Sequence, residues 1–315
     1  GRRVVARRDA EGLTVGTLRV GIIGASGFAG SEVLRLAVGH PDLDVVWATG
    51  DSQAGTAIAD LSPSLAAAYG DQLFEAWSDD LPEVDAVFLA LPHGASQDLV
   101  PELTDRARFI VDLAADFRLQ DPSLYDTWYG IAHTAPELLP TFAYGLPELY
   151  REQISGSTRT ATPGCYPTAA VLALAPFVRA GIVESSGLIV DAASGVSGAG
   201  RPPKPNTTFC TVDEDYTAYG LLTHRHTPEM EAHIGGSVLF TPHLAPMNRG
   251  ILATCYARPA GGGLTTEALL DVLHEAYGDE PFVVVSERSP STKATQGSNC
   301  AHLSARYDER TGTVV

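Results

Sequence analysis

The residues best equipped for chemistry stand in two short runs, TATPGCYPTAA at 160–170 and THRHTPE at 223–229. Cys165 lies between Gly164 and Tyr166, flanked by Pro163 and Pro167, where a β-rich run passes into an alanine- and leucine-rich one. Proline suits the first turn of a helix, since the N–H it lacks would have no partner there, and Gly164 permits an unusual backbone conformation just before it. The thiol is therefore expected at a strand-to-helix turn, on a helix N-terminus whose dipole draws its pKa down from about 8.5 and makes thiolate available near neutral pH. An inert buried cysteine beside a cap fits the same residues. The histidines bear on that choice, because a thiol nucleophile needs a partner that moves protons near pH 7. In a helix His224 and His226, two residues apart, would diverge. Thr227, Pro228 and Glu229 read as a helix start, so the pair is expected in an extended loop before it, sharing one face, with Glu229 able to orient one ring. Solvated surface histidines or a metal site are the alternatives, but neither a third histidine nor a cysteine stands at ligand spacing.

Three cationic positions invite two readings each. Arg118, in DLAADFRLQD, follows a predicted strand end, where open α/β sheets place ligand contacts. Its planar guanidinium suits phosphate or carboxylate, and an ion pair with Asp116 or Asp121 is the competing use. Arg201 and Lys204, in the glycine-rich stretch SGVSGAGRPPKP, carry the same ambiguity.

The elements that must position these groups follow from the alternation of apolar runs. LRVGII reads as a buried strand, GASGFAG as a glycine turn and SEVLRLAVGH as an amphipathic helix closed by Gly39 and Pro41. LDVVWAT, VDAVFLALP and RFIVDLA supply three more strands, so residues 18–163 are expected to form a Rossmann-type, doubly wound dinucleotide-binding domain. Gly24, Gly27 and Gly30 would let the backbone approach a pyrophosphate seated on the helix N-terminus. After the second strand, Asp51 and Ser52 are placed to meet an adenosine ribose: an acid there favours NAD, hydroxyls and amides a 2′-phosphate. From residue 164 to 315 the texture changes. LIVDAA, SVLFTP, GILATCYA, FVVVS and AHLSARYD are strands, LTTEALLDVLHEAYG is the clearest helix, and an α+β domain on a mixed or antiparallel sheet is expected.

Composition narrows the function classes. The 315 residues carry a formal charge of −17, which opposes nucleic-acid binding, and no apolar run approaches the ~18 residues that cross a membrane. Residues 1–17, with Arg2, Arg3, Arg7 and Arg8, read as a disordered leader outside the fold. Cysteines at 165, 210, 255 and 300 are too far apart for a CxxC pair and are expected as reduced thiols in a cytoplasmic protein, with Cys255 and Cys300 as small buried hydrophobes in strands.

GASGFAG, LALPHGAS, DLAADFRL, YGLPE, PGCYPTA, SGVSGAGR, HRHTPE and RGILAT, in that order from residue 18 onward, together resemble the N-acetyl-γ-glutamyl-phosphate reductases of arginine biosynthesis. The resemblance to aspartate-semialdehyde dehydrogenases is more distant. It implies a two-domain enzyme, homodimeric or homotetrameric, that uses NADP. Cys165 matches the family nucleophile, whose thiolate attacks the acyl phosphate, expels phosphate and leaves a thioester that hydride from the nicotinamide reduces to the semialdehyde. His224 and His226 match the acid/base region, with His224 favoured, and Glu229 joins them. Ser26, Gly27, Phe28 and Ala29, between Gly24 and Gly30, match the cofactor turn, and Pro92, His93 and Gly94 match a segment near the nicotinamide. Arg118, Ser194, Gly195, Arg201 and Arg225 are the substrate-contact candidates, and no metal is implied. Asp51 is a feature not anticipated in a 2′-phosphate site.

Aspartate-semialdehyde dehydrogenase and the aminoadipyl-phosphate reductase of the lysine branch are the competing enzyme readings, and a nucleotide-binding redox sensor is the non-enzymatic one. Family members carry a further segment after the final strand, an Asp-Asn-Leu-Val-Lys-Gly run opening a helix that completes the nicotinamide pocket. Against that pattern the present chain stops at TGTVV, and the resemblance then implies weakened NADPH binding.

Overall fold

The computed structural model describes residues 17–315, and the expected leader lies, but for its last residue, outside them. The chain divides into two compact units. The first comprises the described residues through Gln120 with His133–Gly145 and Glu152–Thr162; the second comprises Asp121–Ala132, Leu146–Arg151 and Pro163–Val315. The expected single cut between residues 163 and 164 thus becomes a division in which residues 121–132 and 146–151 group with the second unit.

In the first unit, β1 (Leu18–Ile23), β2 (Leu43–Ala48), β3 (Ala86–Leu89), β4 (Phe109–Asp112), β5 (Ala143–Tyr144) and β6 (Arg159–Ala161) form one sheet in the order β2-β1-β3-β4-β6-β5. Every ladder in it is parallel. This is the doubly wound α/β arrangement, with its switch point at β1, where the strand order runs outward in both directions. Helix α1 (Phe28–Gly39) buries Gly30, Leu34 and Ala37 at helical spacing, and Leu34 joins Val20, Ile22, Ala48, Ile58 and Phe74 in the core. Full burial of one such side chain contributes about 1.5–3 kcal/mol. Helix α2 (Ser96–Leu103) follows β3 and buries Val100 and Leu103.

In the second unit, β7 (Leu188–Ser194), β8 (Thr217–Ala218), β9 (Val238–Leu244) and β10 (Ile251–Tyr256) form a sheet in the order β10-β7-β9-β8. The β7–β9 ladder is parallel, and β10–β7 and β8–β9 are antiparallel, so the sheet is mixed. Helices α3 (Cys165–Arg179), α4 (Thr227–Ile234) and α5 (Thr266–Tyr277) accompany it. Helix α3 packs against α4, α5 and β10, and the buried Tyr277 hydroxyl donates to the Leu172 carbonyl at 2.8 Å. FVVVS becomes the short strand Val283–Val285, while AHLSARYD splits between Ala301–Leu303 and Tyr307–Asp308. Cys300 stands just before the former and is half-buried. Strand alternation leaves Val190, Ala192 and Phe240 inside, with Ile189 (38%), Leu239 (49%) and Leu252 (40%) exposed. Among the described residues no helix is long and apolar enough to cross a membrane.

One close approach in the first sheet is testable. Gly21 pairs with Trp47 across β1 and β2, and a Cβ on it would fall 2.2 Å from the indole ring, which is anchored by its Nε1–H to the Pro82 carbonyl at 2.9 Å. Gly21→Val is expected to lower stability by about 1–3 kcal/mol, the range for overpacked cores, read as a lower urea midpoint with an unchanged slope. An unchanged midpoint would mean that the indole yields freely.

Candidate active site

Cys165 is the first residue of α3 and is exposed, while Tyr166 and Pro167 beside it are buried. Gly164, the N-cap, adopts an ordinary extended conformation (φ −64°, ψ 156°), so the unusual conformation expected of it is not used. Its N–H instead donates to Glu229 Oε1 at 2.7 Å. Glu229 is fully buried in the first turn of α4. Glu229 thereby takes hold of the turn that carries the thiol.

The histidines precede α4, as the proline-containing helix start implied, but in a turn rather than an extended loop. His226 is the N-cap with helical angles (φ −80°, ψ −10°), and its N–H donates to His224 Nδ1 at 3.2 Å. The Thr227 hydroxyl and N–H both return to the His224 carbonyl, at 2.9 and 3.0 Å. This folding back brings the two rings to 4.8 Å between centroids, so the pair shares one face after all. Burial, and then the adjacent Arg225 charge, pull the His224 pKa down to about 4. A neutral His224 whose Nδ1 accepts a hydrogen bond carries its proton on Nε2.

A cavity of about 390 Å³ in the second unit is lined by Cys165, His224 and His226 together with Ser194, Gly195 and Arg225. Tyr166, Tyr219 and Lys204 line it too. Ser194 is buried, its hydroxyl donating to the Gly195 carbonyl at 3.0 Å. Gly195 is pressed against the 248–249 main chain: a Cβ there would meet the Asn248 carbonyl oxygen at 2.6 Å. Arg201 falls outside this lining, with Nε buried. Arg118, in the first unit, is 8% exposed and donates through Nε to the Thr162 carbonyl (2.7 Å) and through Nη2 to that of Leu113 (2.9 Å). Its fork therefore ties the loop after β4 to the end of β6. Tyr219 had no motif to announce it, and Tyr166 stood in PGCYPTA without an assigned role. Tyr166 donates to the His243 carbonyl at 3.1 Å and meets the Tyr219 hydroxyl at 3.0 Å, which fastens the Tyr219 loop over the start of α3.

At the first unit's switch point the glycine turn fits a dinucleotide. Gly24 has φ +79°, and a Cβ on it would lie 2.5 Å from the Ala90 carbonyl oxygen. A Cβ on Gly30 would strike Ala25 and Gly24 at 2.5 Å, whereas one on Gly27 would find nothing nearer than 3.4 Å. Gly24 and Gly30 thus serve the protein's own packing, and Gly27 leaves an open approach to backbone. Helix α1 has no side-chain cap and no acid in its first turn, which leaves its positive end available to a phosphate. Phe28 and Ala29 are exposed there, and Ser26 donates to the Gly50 carbonyl at 3.1 Å, joining this turn to the end of β2. Ser52 is exposed in the short turn that follows, beside Asp51 at φ +48°. After β3, Pro92 and His93 are exposed and Gly94 takes φ +90°.

The His224 environment predicts a measurable titration. An unfolded histidine titrates near 6.5 and His224 near 4, so the unfolded chain binds the extra proton between those values, and the native state loses stability as pH falls through that window. Carbon-13 histidine spectra are expected to keep His224 neutral at pH 5.5, and His224→Gln should remove part of the acid-side slope of thermal stability. A resonance titrating above pH 6 would contradict this environment.

Sequence comparison agrees with both halves. Residues 19–157 match the semialdehyde dehydrogenase NAD binding domain and residues 165–315 the semialdehyde dehydrogenase dimerisation domain. N-acetyl-gamma-glutamyl-phosphate reductase of Symbiobacterium thermophilum is 45% identical over 308 residues, covering 95% of this chain and 88% of its own. That of Magnetococcus marinus is 42% identical over 309 residues, with the same coverage. In fold, the chain is similar to aspartate semialdehyde dehydrogenase II of Vibrio cholerae (TM-score 0.68, 15% identity, 95% of this chain and 91% of the other). It is also similar to the aspartate semialdehyde dehydrogenase of Candida albicans, solved with NADP (TM-score 0.67, 14% identity, 95% and 93%). An identity above 40% across nearly the whole length settles what the fold leaves open between these enzymes: the chain belongs to the N-acetyl-gamma-glutamyl-phosphate reductase family.

Proposed function

We propose that this chain catalyses the NADPH-dependent reduction of N-acetyl-γ-glutamyl phosphate to N-acetylglutamate 5-semialdehyde and phosphate, a step of arginine biosynthesis. The observation that carries the reading is Cys165, exposed on the first turn of α3 in a cavity that also presents both imidazoles. The Cys165 sulfur forms a bond to the γ-carbonyl carbon, and the carbon–oxygen bond to phosphate breaks with its electron pair leaving on phosphate. The resulting thioester keeps the acyl group activated and fixed in place. The cofactor, when bound, supplies the hydride that the acyl carbon accepts; the carbon–sulfur bond then breaks, its electron pair returns to the Cys165 sulfur, and the semialdehyde is released. His224, neutral with its proton on Nε2, is suited to donate a hydrogen bond or that proton to the carbonyl oxygen as charge develops there. His226, against the same face, is the candidate acceptor of the thiol proton. Glu229 holds the Gly164 peptide and so the direction in which the thiol emerges. Arg225 and Lys204 bring positive charge to a cavity whose substrate has two anionic groups, a carboxylate and a phosphate.

In this reading the first unit is the cofactor half, with NADP held by the turn of Gly24, Ser26, Gly27, Phe28, Ala29 and Gly30 and by Ser52, and with Pro92, His93 and Gly94 near the nicotinamide. The second unit is the catalytic and self-association half. Its open sheet face, where Ile189 stands opposite Leu239 in register, offers the apolar surface for a homodimer, from which a homotetramer can be built. Four free cysteines suit a reducing cytoplasmic setting.

Phosphate-dependent reduction of NADP with N-acetylglutamate semialdehyde, compared with aspartate semialdehyde, is the decisive assay; a preference for the latter would overturn the reading. Cys165→Ser is expected to retain NADPH binding while losing at least ~1000-fold in turnover, since a hydroxyl lacks thiolate character. Iodoacetamide should label Cys165 first and Cys255 last, burial having pushed the Cys255 thiol up to about 12. Labelling of exposed Cys210 at the rate of Cys165 would sink the activated thiol.

A further inference from the structure

We propose that Asp116 is a positioning residue for the cofactor, fixing the turn between β3 and α2 against its nicotinamide half; the proposal rests on the cofactor reading above. Asp116 lies beyond β4 in sequence and is 2% exposed. Its carboxylate gathers three backbone N–H groups from 19 to 22 residues upstream: Gly94 to Oδ1 at 2.7 Å, and Ser96 and Gln97 to Oδ2 at 2.9 and 3.1 Å. Helix α2 starts at Ser96, and its own N-cap, Ala95, has no side chain for the purpose. A remote acid thus does what a capping residue normally does.

Capping alone does not account for the arrangement. The shortest of the three bonds goes to Gly94, outside the helix, at the one residue of the turn with positive φ (+90°). Asp116 therefore fixes the peptide of the turn itself, directly after the exposed Pro92 and His93. Neighbouring groups brace the bracket. The Ser96 hydroxyl donates to Asp112 Oδ1 at 2.8 Å, the Asp116 carbonyl meets His133 Nε2 at 2.7 Å, and Gln97 Oε1 accepts the Thr134 N–H at 3.0 Å.

The turn is also in the right place. Ligands of open α/β sheets bind outside the carboxyl ends of the strands at the switch point, here the ends of β1 and β3. The two turns touch, since a Cβ on Gly24 would meet the Ala90 carbonyl oxygen at 2.5 Å. Of the two helix N-termini that meet there, that of α1 has no cap, whereas that of α2 is filled by the Asp116 carboxylate. A pyrophosphate is favoured at the first and repelled from the second. The α2 turn is left to the uncharged end of the cofactor, and its exact placement is what Asp116 secures.

The test compares two ligands, NADPH and 2′,5′-ADP, the second of which lacks the nicotinamide half. In the wild type, amide exchange at residues 94–97 is expected to slow on adding NADPH and to stay unchanged with 2′,5′-ADP. In Asp116→Asn those amides should lose protection in the protein alone. Calorimetry should then find NADPH affinity about 10-fold weaker, or ~1.4 kcal/mol, with 2′,5′-ADP affinity within about twofold of wild type. Equal losses for both ligands, or NADPH affinity that survives the loss of protection, would reduce Asp116 to a structural cap. If Asp116→Asn does not fold, the wild-type exchange pattern decides: protection of 94–97 by both ligands or by neither overturns the proposal. A wild type that binds neither ligand overturns the cofactor reading itself.

Discussion

The site in the second unit hangs on one hydrogen bond, from the Gly164 N–H to the fully buried carboxylate of Glu229. It joins the start of α3 to the start of α4, so one helix end that carries the imidazoles also fixes the turn that carries the thiol. Burying a carboxylate is costly unless it is well bonded, and an unmatched Gly164 N–H would be costly in turn. The two costs lock the partners together. The register of Cys165 relative to His224 and His226 then follows from the packing of α3 on α4 rather than from flexible loops.

Around that joint the titratable groups are driven toward neutrality. Burial lowers His224 and raises Tyr166 and Tyr219. The hydroxyl of Tyr166 is already given to the His243 carbonyl, so both tyrosines stay protonated and serve as a latch. In such surroundings a thiolate is a strong local charge, answered by the end of α3 and by Arg225 and Lys204 at the cavity wall.

The first unit handles charge differently. Asp112 and Asp116 sit within one buried network. Burial, outweighing the Ser96 hydrogen bond, lifts Asp112 to about 7. Because that value lies above the unfolded one, Asp112 favours the fold most below pH ~3.9 and loses that contribution as pH rises toward 7. The arrangement sets the Asp116 carboxyl against the start of α2, while the start of α1 has no side-chain cap.

Much of this was legible in the residues. The short apolar runs located β1 to β4, and Gly24, Gly27 and Gly30 marked a glycine turn after β1, because strand burial and close backbone approach leave local signatures. Cys165 before a proline and the Thr-Pro-Glu start after His226 likewise marked two helix ends. The tertiary structure alone decided what those ends do to each other. Glu229 bonds Gly164, 65 residues earlier, and the pairing of the imidazoles came from a turn that the single intervening residue did not reveal. Arg118 read as a ligand contact because it follows a strand end, with an ion pair to Asp116 or Asp121 as the competing use, and the fold gives its Nε and Nη2 to carbonyls beyond two strand ends. The two-residue strand β8 and the Tyr219 latch had no periodicity to betray them. Local order follows from nearest neighbours in the chain, whereas burial and hydrogen-bond partners depend on residues that only the fold brings together.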